Sequence, residues 1–329
     1  MSALSTQYLG LDLPHPLVPS SSPLSRTLDS AKRLEDAGAA ALVLFSLFEE
    51  DIHDSDTAFA PQEHGNFEAT DFLPNFSSVN SEADNYVEHL HQLKSSMDIP
   101  VIASLNGVSL DGWIDYSRQL QQAGADAIEL NVYYIAADFS KDAAEVETQY
   151  LELIKALRQD VSIPICVKLS PYFSSLGHFV SRLQEAGADG VALFNRFYHP
   201  DFDVDTLRVA NTIHLSSSND SLLTMHWIAM LRHQIGMTLA ATGGVHKAED
   251  AVKMILAGAD VIYLCSTLLL KGPGQIGHLL KGIEQWLEES PYETLEQARG
   301  ALAMHYRGDP IQHERNEYKG LISGYSLNN

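Results

Sequence analysis

The chain has 329 residues, 45% of them hydrophobic, and a formal net charge of −22 at pH 7. That acidity excludes the basic footprint of a nucleic-acid binder and argues against an anionic membrane surface; an anionic ligand would need local cations or helix N-termini, because the global field repels it. No apolar run reaches the roughly 20 residues that span a bilayer, Met1–Gly10 lacks the pattern of a signal peptide, and the two cysteines, Cys166 and Cys265, read as buried thiols in a reducing compartment.

In chain order, "PLVPS" (Pro16–Ser20) predicts a first buried strand, followed by a helix over Thr27–Gly38. The strand "ALVLFS" (Ala41–Ser46) comes next, then a long polar stretch and a helix over Glu82–Met97. "VIASL" (Val101–Leu105), "AIELNV" (Ala127–Val132) and "ICVKLS" (Ile165–Ser170) are strands three to five. Helices over Trp113–Gly124, Ala143–Gln159 and Phe179–Gly187 follow them in turn. "GVALFN" (Gly190–Asn195), "LAATGG" (Leu239–Gly244) and "VIYLCS" (Val261–Ser266) complete the set, with helices over Ser221–Gly236, Ala248–Gly258 and Gly277–Glu289.

Most of these strands are continuous apolar runs, as parallel strands covered on both faces require. The junctions repeat: "AGAAALV", "AGADAIEL", "AGADGVAL" and "AGADVIYL" each end a helix on glycine and start a strand at once. Eight strand–helix units predict an α/β fold, a TIM (β/α)8 barrel with long strand-to-helix loops, 47–82 and 196–220, at the C-terminal face. No Gly-x-Gly-x-x-Gly follows the first strand, which weakens the doubly wound alternative. The polar tail beyond Gly300 shows no strong period.

The C-terminal ends of the strands should converge on one site. They carry Ser20 and Ser21, Ser46, Asn106, Asn131, Lys168, Asn195 with Arg196, Gly243–Gly244, and Ser266 with Thr267. The set holds amides, hydroxyls and one inward lysine, with no His/Asp/Glu cluster spaced for a metal. The turns "TGGVHKAED" and "CSTLLLKGPG" follow strands seven and eight, where barrels commonly bind phosphate through backbone N–H groups. Lys168 reads as a cation beside an electron-rich ring or phosphate, as a Schiff-base nucleophile, or as a solvent-reaching stem.

At these residues the chain resembles the dihydroorotate dehydrogenase family of FMN barrels of pyrimidine synthesis. "LPHPLVPSSSP", "FLPN", "SLNG", "ELN", "VKLSPYF" and the ending "GGVHKAEDAVKMILAGADVIYLCSTLLLKGPG" carry the resemblance over about residues 4–302. It implies a single FMN-binding barrel over residues 1–302, with 303–329 as a tail. Lys168 and Asn131 would contact the flavin ring, the lysine near N1 and O2, with Ser20, Ser21, Ser46 and Asn106 bordering the cofactor. Gly243, Gly244, Ser266 and Thr267 would hold the phosphate. Asn75 and Asn195 would meet a small anionic or pyrimidine-like substrate, whose hydride passes to flavin N5; Arg196, which is outside the family pattern, reads either as a binder of the substrate's anion or as a cation that lowers the Tyr134 pKa. A second acceptor, fumarate-like or a partner protein, would reoxidise the flavin in a cytoplasmic homodimer.

The chain also departs from the family pattern. Where the family has a cysteine or serine base soon after the strand-four asparagine, the sequence reads "NVYYIAA", which puts Tyr134 at that position. Phe45 stands where a second flavin-contacting lysine is expected, Arg196 follows Asn195 in place of a small hydroxyl residue, and Ser266 replaces a glycine. A phenol is neutral at pH 7 and a weak base unless a neighbour lowers its pKa. Two other readings stay open at this point: a non-catalytic or altered-specificity flavin-binding barrel, and an aldolase-like barrel with Lys168 as Schiff base.

Overall fold

The computed structural model describes residues 2–50, 82–107, 113–197, 199–210, 213–304 and 310–324. Its main sheet is built from β3 (Leu17–Pro19), β4 (Leu42–Phe48), β5 (Val101–Asn106), β6 (Ala127–Asn131), β7 (Ile165–Leu169), β8 (Gly190–Leu193), β11 (Thr238–Thr242) and β12 (Val261–Leu264). The strands run in the order β3-β12-β11-β8-β7-β6-β5-β4, all neighbouring pairs parallel. The ends of that order meet where Ala40 N–H donates to the Leu17 carbonyl at 3.1 Å, and the Ser21 and Ser46 hydroxyls bridge the same seam at 3.1 Å. This is the expected (β/α)8 barrel, and each expected strand lies within one or two residues of its place.

Alternation along each strand sorts side chains into two cores. Ile165, Val167 and Leu169 face outward into the layer shared with the helices, while Cys166 points into the barrel with Val43, Ile102, Ala192, Ala240 and Tyr263. The same period turns Lys168 inward one step nearer the mouth. Two strands that the sequence reading did not identify, β1 (Thr6–Tyr8) and β2 (Leu11–Leu13), form an antiparallel hairpin. It closes the floor: Tyr8 is fully buried, its hydroxyl 2.8 Å from that of Tyr263 and 3.2 Å from the Cys166 sulfur.

The recurrent "AGAD" has a structural task at this floor. Its aspartates, Asp126, Asp189 and Asp260, accept from the backbone N–H of Val101, Ile165 and Leu239, each at the start of a neighbouring strand. A basic side chain holds each carboxylate: Lys94 on Asp126, Arg158 on Asp189, and both Arg232 and Arg299 on Asp260. The glycines two residues before these aspartates, Gly124, Gly187 and Gly258, take φ between 99° and 122°, open to glycine and strained for other residues.

Two further elements lie outside the sequence-based expectations. β9 (Asp201–Asp203) and β10 (Arg208–Ala210) make an exposed hairpin in the long loop after β8. Residues Pro310–Gly324 form a helix whose Ile311, Tyr318, Leu321 and Ile322 are all exposed. Among the described residues no helix is long and apolar enough to cross a membrane.

Candidate functional site

The polar residues at the strand ends meet at the barrel mouth. Asn106 on β5 pairs in register with Asn131 on β6, which pairs with Lys168 on β7. All three are at least nine-tenths buried. Asn195, just past β8, donates its amide Nδ2 to Asn131 Oδ1. Its backbone N–H bonds the Leu169 carbonyl at 2.7 Å, which carries the β7–β8 ladder one step past the strand and fixes the amide over the mouth.

Lys168 Nζ lies 3.3 Å from Ser20 Oγ and 3.4 Å from Glu129 Oε1, with the Tyr263 ring centroid 6.0 Å away. Glu129 has no exposure, and its other oxygen, Oε2, has no hydrogen-bond partner. A carboxylate in that position is tolerable because the ammonium sits on it. Below the pair, burial pushes the Tyr263 and Tyr8 phenols well up, with Glu129 and Cys166 adding to the effect on Tyr263. Burial, then the charge of Glu129, pushes the Cys166 thiol up as well, so Cys166 is a packed thiol and no nucleophile.

Two cavities open over this floor and share Ser21, Lys168 and Asn195. The first, about 300 Å3, runs toward β11 and β12 and includes Ser20, Arg196, Gly243, Gly244, Ser266 and Thr267. The second, about 400 Å3, lies toward β4 and includes Ser46, Asn106 and Asn131 from the expected set. Each is within the ~300–1,000 Å3 of small-molecule sites. Neither described lining contains a single carboxylate, in a chain that carries 43 Asp and Glu residues.

The first cavity suits the phosphate end of FMN on three counts. Thr267 Oγ1 is buried without a hydrogen-bond partner and borders the cavity, a donor awaiting an acceptor. A Cβ built on Gly243, which has φ +96°, would meet nothing within 4 Å, so the turn leaves open space on that side. Gly244 is closed on its other side, where a Cβ would come 2.2 Å from the Ser221 backbone nitrogen. The turn is braced by a segment that sequence reasoning missed. Ser216 Oγ accepts from Gly244 N–H at 3.4 Å and lies 3.1 Å from His246 Nε2, while the Ser266 hydroxyl accepts from Ser216 N–H at 3.2 Å. Ser266 therefore ties down the 213–216 segment as well as facing the cavity. Arg196 brings a cation to this cavity and reaches Asp220 at 3.9 Å.

The base position is arranged differently from the sequence-based expectation. Tyr133 lines the second cavity and packs on Phe197, with centroids 4.4 Å apart. Tyr134 is not among the described residues lining either cavity; it packs against the outer core with Lys141 Nζ 5.7 Å from its ring centroid. In a stretch with no helical turn, neighbouring side chains diverge, and here that divergence separates the two phenols. Phe45 lines the second cavity, with Arg26 Cζ 4.8 Å from its ring centroid. Asn75 lies outside the described residues. Among the described residues no group of His, Cys, Asp and Glu is placed to hold a metal ion.

Comparison with known proteins follows the same lines. The family model for dihydroorotate dehydrogenase matches residues 65–287. The catalytic subunit of dihydroorotate dehydrogenase B (NAD(+)) from Thermoplasma acidophilum is 24% identical over 309 residues, 91% of this chain and 99% of that protein. The corresponding subunit from Shouchella clausii is 27% identical over 203 residues, covering 60% of this chain and 66% of that protein. Dihydroorotate dehydrogenase A (fumarate) from Lactobacillus delbrueckii subsp. bulgaricus is 27% identical over 198 residues, 57% of this chain and 62% of that protein.

Proposed function

The chain belongs to the dihydroorotate dehydrogenase family, whose enzymes are FMN-dependent flavoproteins, and from that premise we propose that it oxidises a dihydropyrimidine-like ring at the barrel mouth. The observation that carries this reading is the pair of cavities joined at Ser21, Lys168 and Asn195, whose described linings hold amides, hydroxyls and cations. One offers a phosphate cradle, the other an amide-lined chamber, and the lysine stands at their boundary.

FMN, when bound, supplies the two-electron acceptor for a C–H bond of the substrate. The protein's part is binding and charge. Gly243, Gly244, Ser266 and Thr267 would hold the phosphate, with Arg196 as a further cation of the same cavity. Lys168, held between Ser20 and Glu129, places a fixed positive charge where negative charge collects on a reduced ring. Asn131 and Asn195 lock each other's orientation and present amide edges to a ring carrying N–H and C=O groups. Of the two tyrosines at the base position, Tyr133 has access to the substrate chamber. Family membership sets aside the aldolase-like alternative. We further propose that residues 1–302 act as one catalytic unit in the cytoplasm as a homodimer. Fumarate, or an NAD-linked partner subunit of the kind that the relatives' names indicate, would take the electrons.

The test is reconstitution. The purified protein should take up one FMN and lose the visible flavin band on anaerobic mixing with dihydroorotate. A colourless protein that takes up no FMN would refute the flavin reading. Bound FMN whose band survives dihydroorotate would reject that substrate alone.

A further inference from the structure

We propose that Arg26 is the carboxylate-binding residue of the second cavity, and that it selects anionic over neutral rings. This rests on the functional reading above, and names a residue outside the set that the strand ends predicted.

Arg26 follows a short 3-10 turn, Pro23–Ser25, and is held by the platform around Phe45. The Phe45 backbone N–H donates to Ser25 Oγ at 2.7 Å, and His89 Nε2 lies 2.9 Å from the Ser25 carbonyl. The Phe45 ring is wedged edge-on against Tyr86, centroids 5.0 Å apart, and tilted on His89 at 6.0 Å. Arg26 lies over that ring, its Cζ 4.8 Å from the centroid. A guanidinium over an aromatic face can still offer the N–H donors along its edge to a bidentate partner.

The charges of the cavity single out this residue. Its described lining has two cations, Arg26 and Lys168, and no acid. Lys168 is paired with Glu129 at 3.4 Å and stands at the boundary of the two cavities. Arg26 rests on an aromatic face instead. In a protein of net charge −22, a local cation in a chamber whose described lining holds no acid is what an anion needs to enter against the overall field. The rest of the lining suits the body of such a ligand: Phe48 and Tyr133 provide apolar and aromatic surface, and Asn106 and Asn131 provide amides. The ligand class is a flat heterocycle bearing one carboxylate, with the carboxylate at Arg26 and the ring's polar edge at the asparagines.

The experiment titrates FMN-loaded protein with orotate and with uracil, the same ring without the carboxylate, following the flavin spectrum. Wild type should prefer orotate. Arg26→Gln should weaken orotate by about 10- to 100-fold, the range of a charge-assisted hydrogen bond, and leave uracil within about twofold, with Arg26→Lys in between. Equal weakening of both ligands, an unchanged orotate affinity, or a wild type with no preference for orotate would each overturn the proposal. If the protein takes up no FMN, the functional reading fails; the same titrations by calorimetry on the flavin-free protein then judge Arg26 by the same outcomes.

Discussion

The two ends of the barrel handle charge in opposite ways. At the floor, aspartates are part of the frame: Asp126, Asp189 and Asp260 each accept from an N–H in the first two residues of a strand and are clamped by a basic side chain. At the mouth, carboxylates are absent from both described cavity linings, and amides, hydroxyls and cations take their place. The acidic character of the chain is thus unevenly placed, with acids used for structure at the floor and none in the described linings of the mouth. A barrel separates stability and chemistry by end, and here the separation is written in charge.

Substitutions at the two ends should therefore fail in different ways. The largest effect is expected at the floor. Asp260→Ala removes the partner of Arg232 at 2.9 Å and Arg299 at 3.3 Å, and leaves Leu239 N–H without its acceptor. Arg299 suffers most, because burial already lowers its pKa and Asp260 is the charge that opposes this. A loss of about 3–5 kcal/mol is expected, seen as a melting temperature lower by about 10 °C, with FMN affinity of the folded protein unchanged. A comparable loss of FMN affinity would break the division between the two ends.

Gly244→Ala should show the reverse balance. Its Cβ would fall 2.2 Å from Ser221 N and 2.8 Å from the Asp220 carbonyl carbon, both backbone atoms that cannot rotate away, at a φ of +74°. The turn must shift, so FMN affinity should fall by about tenfold or more in a fluorescence titration, with a smaller change in melting temperature than for Asp260→Ala. Unchanged FMN affinity would show that the turn does not hold the cofactor.

The smallest effect concerns pH at the mouth. Burial, aided by Lys271, lowers the pKa of His246 below its usual 6.5, so the folded protein favours the neutral ring on Ser216. The unfolded chain binds the proton more readily. This contribution to stability is therefore complete above about pH 6.5 and is lost as pH falls through the lowered folded value. In flavin-free protein, His246→Asn should flatten that acid-side decline in melting temperature by no more than about 2 °C. An unchanged slope would remove His246 from the account.

The barrel was legible in the sequence because most of its eight strands are continuous apolar runs, and four of them start directly after a helix that ends on glycine. Lys168 could be aimed inward from the two-residue period it shares with Cys166. What escaped had no period to read. "TQY" and "LDL" are three residues each and make a hairpin only because the barrel floor needs a cover. Pro310–Gly324 is a helix with no buried face, so its apolar residues have no stripe to follow. Tyr133 and Tyr134 sit where neither helix nor strand dictates direction, and the residue at the aligned position is the one that turned away. Arg26 reaches the mouth only by stacking on Phe45, a long-range contact that no local pattern announces.

Glu129 has a consequence for anyone who edits the lysine above it. With no exposure and one oxygen unbonded, it depends on the ammonium 3.4 Å away. Replacing Lys168 by an uncharged side chain strands an anion on the barrel axis, and whatever the variant loses is a mixture of missing chemistry and a frame under electrostatic load. Only removing both members together, beside each alone, apportions the two. The axis of this enzyme carries a matched couple, and its members are informative only as a couple.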